Sequence, residues 1–120
     1  MAKMKKAEKT KWVAALRSGK YKQGKGALRH SDNTYCCLGV AVSAITNRDP
    51  RNGQPYIKDG RFGLSHQLQR ALGCVNDGNT ERQLDIKLRF EQAGFKVPPK
   101  TNARGRSSFK QIANWLDKNL

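Results

Sequence analysis

The sequence predicts a single small α+β domain, mainly helical, with about four to five helices and a short β-hairpin or small antiparallel sheet. Three observations lead there. Apolar residues recur at helical spacing in blocks that end at glycine. Serine and threonine stand ahead of several of those blocks as caps. One turn-rich stretch carries a hairpin signal between aromatic and β-branched residues. A chain of 120 residues suits one domain and can bury a core without staples.

Residues 1–9 are polar and rich in lysine, and read as a basic, partly disordered N-terminal extension to a globular domain over 10–120. Thr10 is placed to cap a helix whose apolar stripe is Trp12, Val13, Ala15 and Leu16, with Gly19 as its stop. Trp12 stands beside Val13 and Leu16, so it reads as a core anchor. Residues 18–34 contain three glycines and many polar groups, which predicts a loop with a short strand near Ala27 and Leu28. Tyr35 to Thr46 has no polar face, and its small residues Gly39, Ala41, Ser43 and Ala44 favour a close-packed buried helix over a strand.

Residues 47–63 hold Asp49-Pro50, Asn52-Gly53 and Asp59-Gly60. Tyr56-Ile57 and Arg61-Phe62 flank Lys58-Asp59-Gly60 as a short hairpin. Ser65 caps a short helix carrying Leu68 and Leu72 and ending at Gly73. Asn76-Asp77-Gly78 reads as a turn, and Thr80 opens a helix that runs to about Ala93 and stops at Gly94. Residues 99–107 form a basic, glycine-containing loop. Ser108 and Gln111 then make a capping box ahead of Phe109, Ile112, Ala113, Leu116 and Leu120, the cleanest amphipathic repeat in the chain.

The charge is lopsided. The chain carries a net +15, and residues 1–29 hold ten basic residues against one acid, Glu8. A second run, Lys96, Lys100, Arg104, Arg106 and Lys110, has no acid within it. Like charges packed this densely repel one another, and a polyanion relieves that cost by releasing its counterions. The expected partner is therefore nucleic acid, DNA or RNA, or a nucleoprotein complex. The contact residues expected are Lys20, Lys22, Lys25 and Arg29 with Tyr21 as a stacking ring, and Lys100, Arg104 and Arg106 in the second loop. The alternative is an inhibitor of a host defence or transcription component, with the charge aimed at an acidic protein surface and Tyr21 as its anchor.

Several other classes find little footing. There is no run of eighteen apolar residues for a transmembrane helix, so no membrane partner is expected. The lysine-rich start has no apolar stretch behind it and reads as neither a secretory signal nor a transit peptide. Three cysteines, Cys36, Cys37 and Cys74, suit reduced, buried thiols better than a disulfide framework. No ligand pair has finger-like spacing, so neither metal nor cofactor is expected. Catalysis is not spelled out. A nucleophilic Cys37 with His30 or His66 as base, and Asp32 or Asn33 as orienter, competes with simple packing of that cysteine. Asp32, Asp77, Glu81 and Asp85 are the only acids a metal-dependent nuclease could use, and no pair of them has a diagnostic spacing.

The run Trp12-Val13-Ala14-Ala15-Leu16-Arg17-Ser18-Gly19 is followed by Tyr21-Lys22-Gln23-Gly24, Gly26, Leu28-Arg29 and Tyr35-Cys36-Cys37-Leu38-Gly39-Val40. With these residues the chain resembles a family of short tailed-bacteriophage proteins. Its members often end with an Asn-Asp-Gly-type turn and a Ser-Phe-x-x-Ile-Ala helix, here Asn76-Asp77-Gly78 and Ser108 to Ala113. The resemblance implies a phage origin and the host cytoplasm as location. It also implies that the Cys-Cys-Leu-Gly-Val block is a fold element. It brings no chemistry with it.

Overall fold

In the computed structural model the described residues are 4–24, 28–52, 62–77, 90–95 and 108–120. Four α-helices lie among them, with the end of another at 90–92, one 3-10 turn, Pro50–Asn52, and one pair of two-residue strands. Helix α1 (Lys6–Arg17) buries Trp12, Val13 and Leu16, the stripe that the sequence marks as apolar. It begins before Thr10, so residues 6–9 form its first turn. The Thr10 hydroxyl donates back to the Lys6 carbonyl at 2.9 Å, a bond within the helix and not a cap.

Helix α2 (Cys37–Thr46) is the centre of the molecule, with Cys37 to Val42 all buried. It is a helix, as its length and small residues suggested. The Cys36 sulfur caps its start by accepting from the Gly39 N–H at 3.4 Å. Asn47 closes its end in the left-handed conformation, φ 58°. Gly39 is required: a Cβ there would collide with the Leu28 carbonyl, so only glycine lets that loop lie on the helix.

Strands β1 (Lys22–Gln23) and β2 (Thr34–Tyr35) pair in parallel, in the register Lys22 with Thr34 and Gln23 with Tyr35. This corrects two expectations. The paired strands lie at Lys22–Gln23 and Thr34–Tyr35, with only an isolated bridge at Arg29 beside Leu28, and the pairing is parallel where an antiparallel sheet was expected. The reason is a tight turn at His30–Asn33, with Asn33 at φ 63°. It folds Arg29 back beside Tyr35 as an antiparallel bridge and delivers Thr34 and Tyr35 alongside β1 in the same direction. Asp32 fixes that turn by accepting from both the N–H and the hydroxyl of Thr34. The hairpin expected at Tyr56–Phe62 lies, apart from Phe62, outside the described residues.

Helix α3 (His66–Asp77) is capped by Ser65, whose Oγ accepts from the Leu68 N–H at 3.1 Å. It runs past Gly73, so Asn76 and Asp77 are its last turn and not part of a loop. Of the helix expected to begin at Thr80, only the end is described. There Phe95 N–H bonds the Phe90 carbonyl, Gly94 N–H bonds the Glu91 carbonyl, and Gly94 sits at φ 88°, a Schellman stop. Helix α4 (Phe109–Asn119) starts at Ser108, which accepts from the Gln111 N–H at 3.3 Å. Gln111 Oε1 has no hydrogen-bond partner, so only half of the expected box forms. Phe109, Ile112, Ala113, Trp115 and Leu116 face inward and pack chiefly on α1.

The loop, α2 and α3 meet at one side chain. Asn76 is fully buried. Its Nδ2 donates to the Gly24 carbonyl at 2.8 Å. Its Oδ1 accepts from Gln23 Nε2 at 2.9 Å and from the Cys37 N–H at 3.3 Å. From the opposite side, Trp12 Nε1 donates to the Cys37 carbonyl at 2.9 Å. Removing the amide takes a partner from the buried Cys37 N–H and from the part-buried Gln23 amide and Gly24 carbonyl, and an unmatched buried group costs about 1–3 kcal/mol. Asn76→Ala is expected to lower unfolding stability by roughly 2–5 kcal/mol in denaturant titration.

Candidate nucleic-acid interface

The first basic loop, within residues 18–34, is largely committed to the fold. Tyr21 is half-buried. Its ring meets that of Tyr35 edge to face, with centroids 5.0 Å apart, and its hydroxyl shares a 2.9 Å hydrogen bond with Ser43 on α2. Arg29 lies over the Tyr35 ring at 5.5 Å, donates to Asn33, and pairs with Asp49 at 3.3 Å. The same Asp49 takes Arg51 at 2.8 Å. Hydrogen bonds from the Arg51 guanidinium, and then from the Arg51 backbone N–H, hold the Asp49 carboxyl well below the usual carboxylate range. Arg29 and Tyr21 therefore brace the turn between β1 and α2. Lys20 and Lys22 are exposed, with Lys22 in β1. Lys25, Lys100, Arg104 and Arg106 lie outside the described residues.

A second basic surface is built by helices. The outward side of α1 carries Lys6, Lys11 and Arg17 around Ala7, Thr10 and Ala14, opposite Trp12, Val13 and Leu16. The outward side of α4 carries Lys110, Asn114, Asp117 and Lys118. In sequence that second side looks evenly mixed. In the structure its single acid is taken: Asp117 lies 3.9 Å from Lys9 Nζ and 3.6 Å from Arg17, and Arg17 also donates to Asn114 at 2.9 Å. Lys9 Nζ donates as well to the Asp117 carbonyl at 3.0 Å. These bonds join the outer sides of α1 and α4 into one surface.

Lys6, Lys11, Lys110 and Lys118 stand exposed on that surface, and none forms an ion pair with a described acid. Exposed pairs such as Lys9–Asp117 contribute little stability, about 0–1 kcal/mol. Their effect here is to neutralise the one acid on the outward side of α4. Sequence reasoning placed the expected contacts in the loops and did not mark this face. The signal was present, since Lys6, Lys11 and Arg17 fall opposite Trp12 and Leu16 at a period of 3.6 residues. What hid it was reading residues 6–9 as an extension.

The chemistry available is the attraction of a repeated anion by ammonium point charges. Cys37, considered above as a nucleophile, is fully buried, and its thiol donates to the Leu72 carbonyl at 3.6 Å. Cys36 is buried also, its sulfur occupied at the start of α2. Among the described residues, no helix is long and apolar enough to cross a membrane.

A small, mainly helical α+β domain with a cationic two-helix face is the class that these features define. The chain belongs to the family described as a domain of unknown function, DUF8296, whose family model matches residues 4–120. No curated protein and no solved structure matches it.

Asp49 ties protonation to the fold. Its carboxyl is lowered in the folded chain, so its contribution is fully present above the unfolded value and is lost as pH falls through the folded one. The difference in melting temperature between the native chain and Asp49→Asn is expected to shrink as pH is lowered below 3.8, the ordinary aspartate value. Melting curves over a pH series check this.

Proposed function

We propose that this chain is a small basic phage accessory protein that binds nucleic acid, or a nucleoprotein complex, in the cytoplasm of the infected host. The binding is largely without sequence preference. The observation that carries this reading is the joined outer surface of α1 and α4. Lys6, Lys11, Lys110 and Lys118 stand there without a described acidic partner, and Asp117 is already neutralised by Lys9 and Arg17. Lys20 and Lys22 add to the exposed charge of the N-terminal half. Lysine ammonium groups meet phosphates as point charges, whereas base identity is read by groups that reach base edges with fixed geometry. Ala7, Thr10 and Ala14, which lie among those lysines, are too short to reach far into a groove. The phage assignment rests on the resemblance carried by residues 12–40.

Affinity measured by gel shift is expected to fall by orders of magnitude between about 50 and 200 mM salt if six or more phosphates are engaged. Reversing Lys6 and Lys11 together, or Lys110 and Lys118 together, to glutamate is expected to weaken binding to all sequences alike. The salt slope should become shallower by about one for each phosphate no longer engaged. Folding should survive, because substitutions on such a surface change stability by less than about 0.5 kcal/mol. A flat salt response, or no shift at low salt, overturns the proposal.

A further inference from the structure

We infer that the nucleic acid taken by this face is double-stranded, an inference that rests on the function proposed above. Binding to single strands draws on two features together, a positive track for the backbone and aromatic rings on which unstacked bases lie. The cationic surface is present. The rings, however, are engaged elsewhere. Trp12, Phe62, Phe90, Phe109 and Trp115 are buried in the core. Phe95 meets Trp115 edge to face at 5.3 Å, and Tyr21 and Tyr35 meet each other, with the Tyr21 hydroxyl on Ser43. Among the described residues every aromatic thus has its partner inside the fold, and only Tyr56 lies outside them. An unpaired strand would gain charge attraction and, among the described rings, no stacking.

A duplex suits the same surface better, because it needs no stacking and offers more charge. It carries one phosphate per about 1.7 Å of axis, twice the density of one strand. Helix α1 has 12 residues and so spans about 18 Å. Lying along a duplex, it covers a length of axis that carries on the order of ten phosphates on the two strands together, part of them on the side it faces. Lysines on both edges of the exposed α1 side, with those of α4 beside them, can then meet two strands at once. The shared chemistry is the paired phosphate backbone, which either DNA or RNA supplies.

The experiment uses the full chain and three fluorescein-labelled probes of equal length and mixed sequence: duplex DNA, duplex RNA and one DNA strand alone. Anisotropy is read at fixed salt, with tryptophan emission followed in parallel. At least one duplex is expected to bind about tenfold or more tighter than the single strand, and tryptophan emission should stay unchanged on binding. Lys11→Ala with Lys118→Ala should bring duplex affinity down toward that of the strand. Which duplex binds more tightly distinguishes DNA from RNA as the source. Equal or tighter binding of the single strand, or quenching of tryptophan by it, overturns this inference and leaves the proposed function standing. Binding to none of the three probes at low salt overturns both.

Discussion

The buried amide of Asn76 is the interaction on which the rest of the structure depends. An amide in a low-dielectric interior is costly unless its groups find partners, and strengthening when they do. Asn76 finds them on two separate parts of the chain: Gln23 and Gly24 of the loop, and the Cys37 N–H at the start of α2. That N–H is one of the donors a helix start leaves without an intrahelical partner. On its other side, Cys37 receives the Trp12 indole, so α1 and α3 both bind the first residue of α2, and the loop is tied to it through Asn76. The orientation of the central helix follows from these bonds, and the apolar packing around Val40, Ala41 and Val42 fills in behind them.

With α2 fixed and its first six residues buried, α1 and α4 become the outer layer. The buried stripe of α1 meets both α2 and α4, that of α4 packs chiefly on α1, and their remaining sides must face water. Lysines occupy those sides, and the acids that would balance them are few. Asp117, placed where Lys9 and Arg17 both reach it, sews the two helices together without restoring neutrality. A surface left this positive opposes compaction by self-repulsion, which the core must offset. An anionic partner turns the same repulsion into binding free energy through counterion release. Stability and proposed function are therefore linked through the same lysines.

The helices were legible because a buried stripe imposes its period directly on the sequence. Trp12, Val13 and Leu16, and Phe109, Ile112 and Leu116, declare both the element and its inward side. Caps such as Ser65 and Ser108 are local chemistry and could be read as well. Misreadings came where a distant interaction overrides local preference. Asn76-Asp77-Gly78 has the composition of a turn, yet Asn76 belongs to α3 because its partners, more than fifty residues away in sequence, hold it there. Tyr21 among lysines looks like an exposed ring, and only the fold brings Tyr35 and Ser43 to it. The direction of β2 depends on the turn at Asn33, whose left-handed backbone no periodicity announces. The same limit applied to the basic face. Its lysines were visible one by one, but the neutralising of Asp117 joins the first helix to the last.

A double-mutant cycle between Gln23 and Asn76 tests most directly whether the loop and the helices are joined through this amide. Unfolding free energies are measured for the native chain, Gln23→Ala, Asn76→Ala and the double variant. Residues in one hydrogen-bond network are expected to be non-additive by about 0.5–3 kcal/mol, so the double variant should lose less than the two single losses combined. Additivity within about 0.3–0.5 kcal/mol, the behaviour of independent sites, would contradict the account.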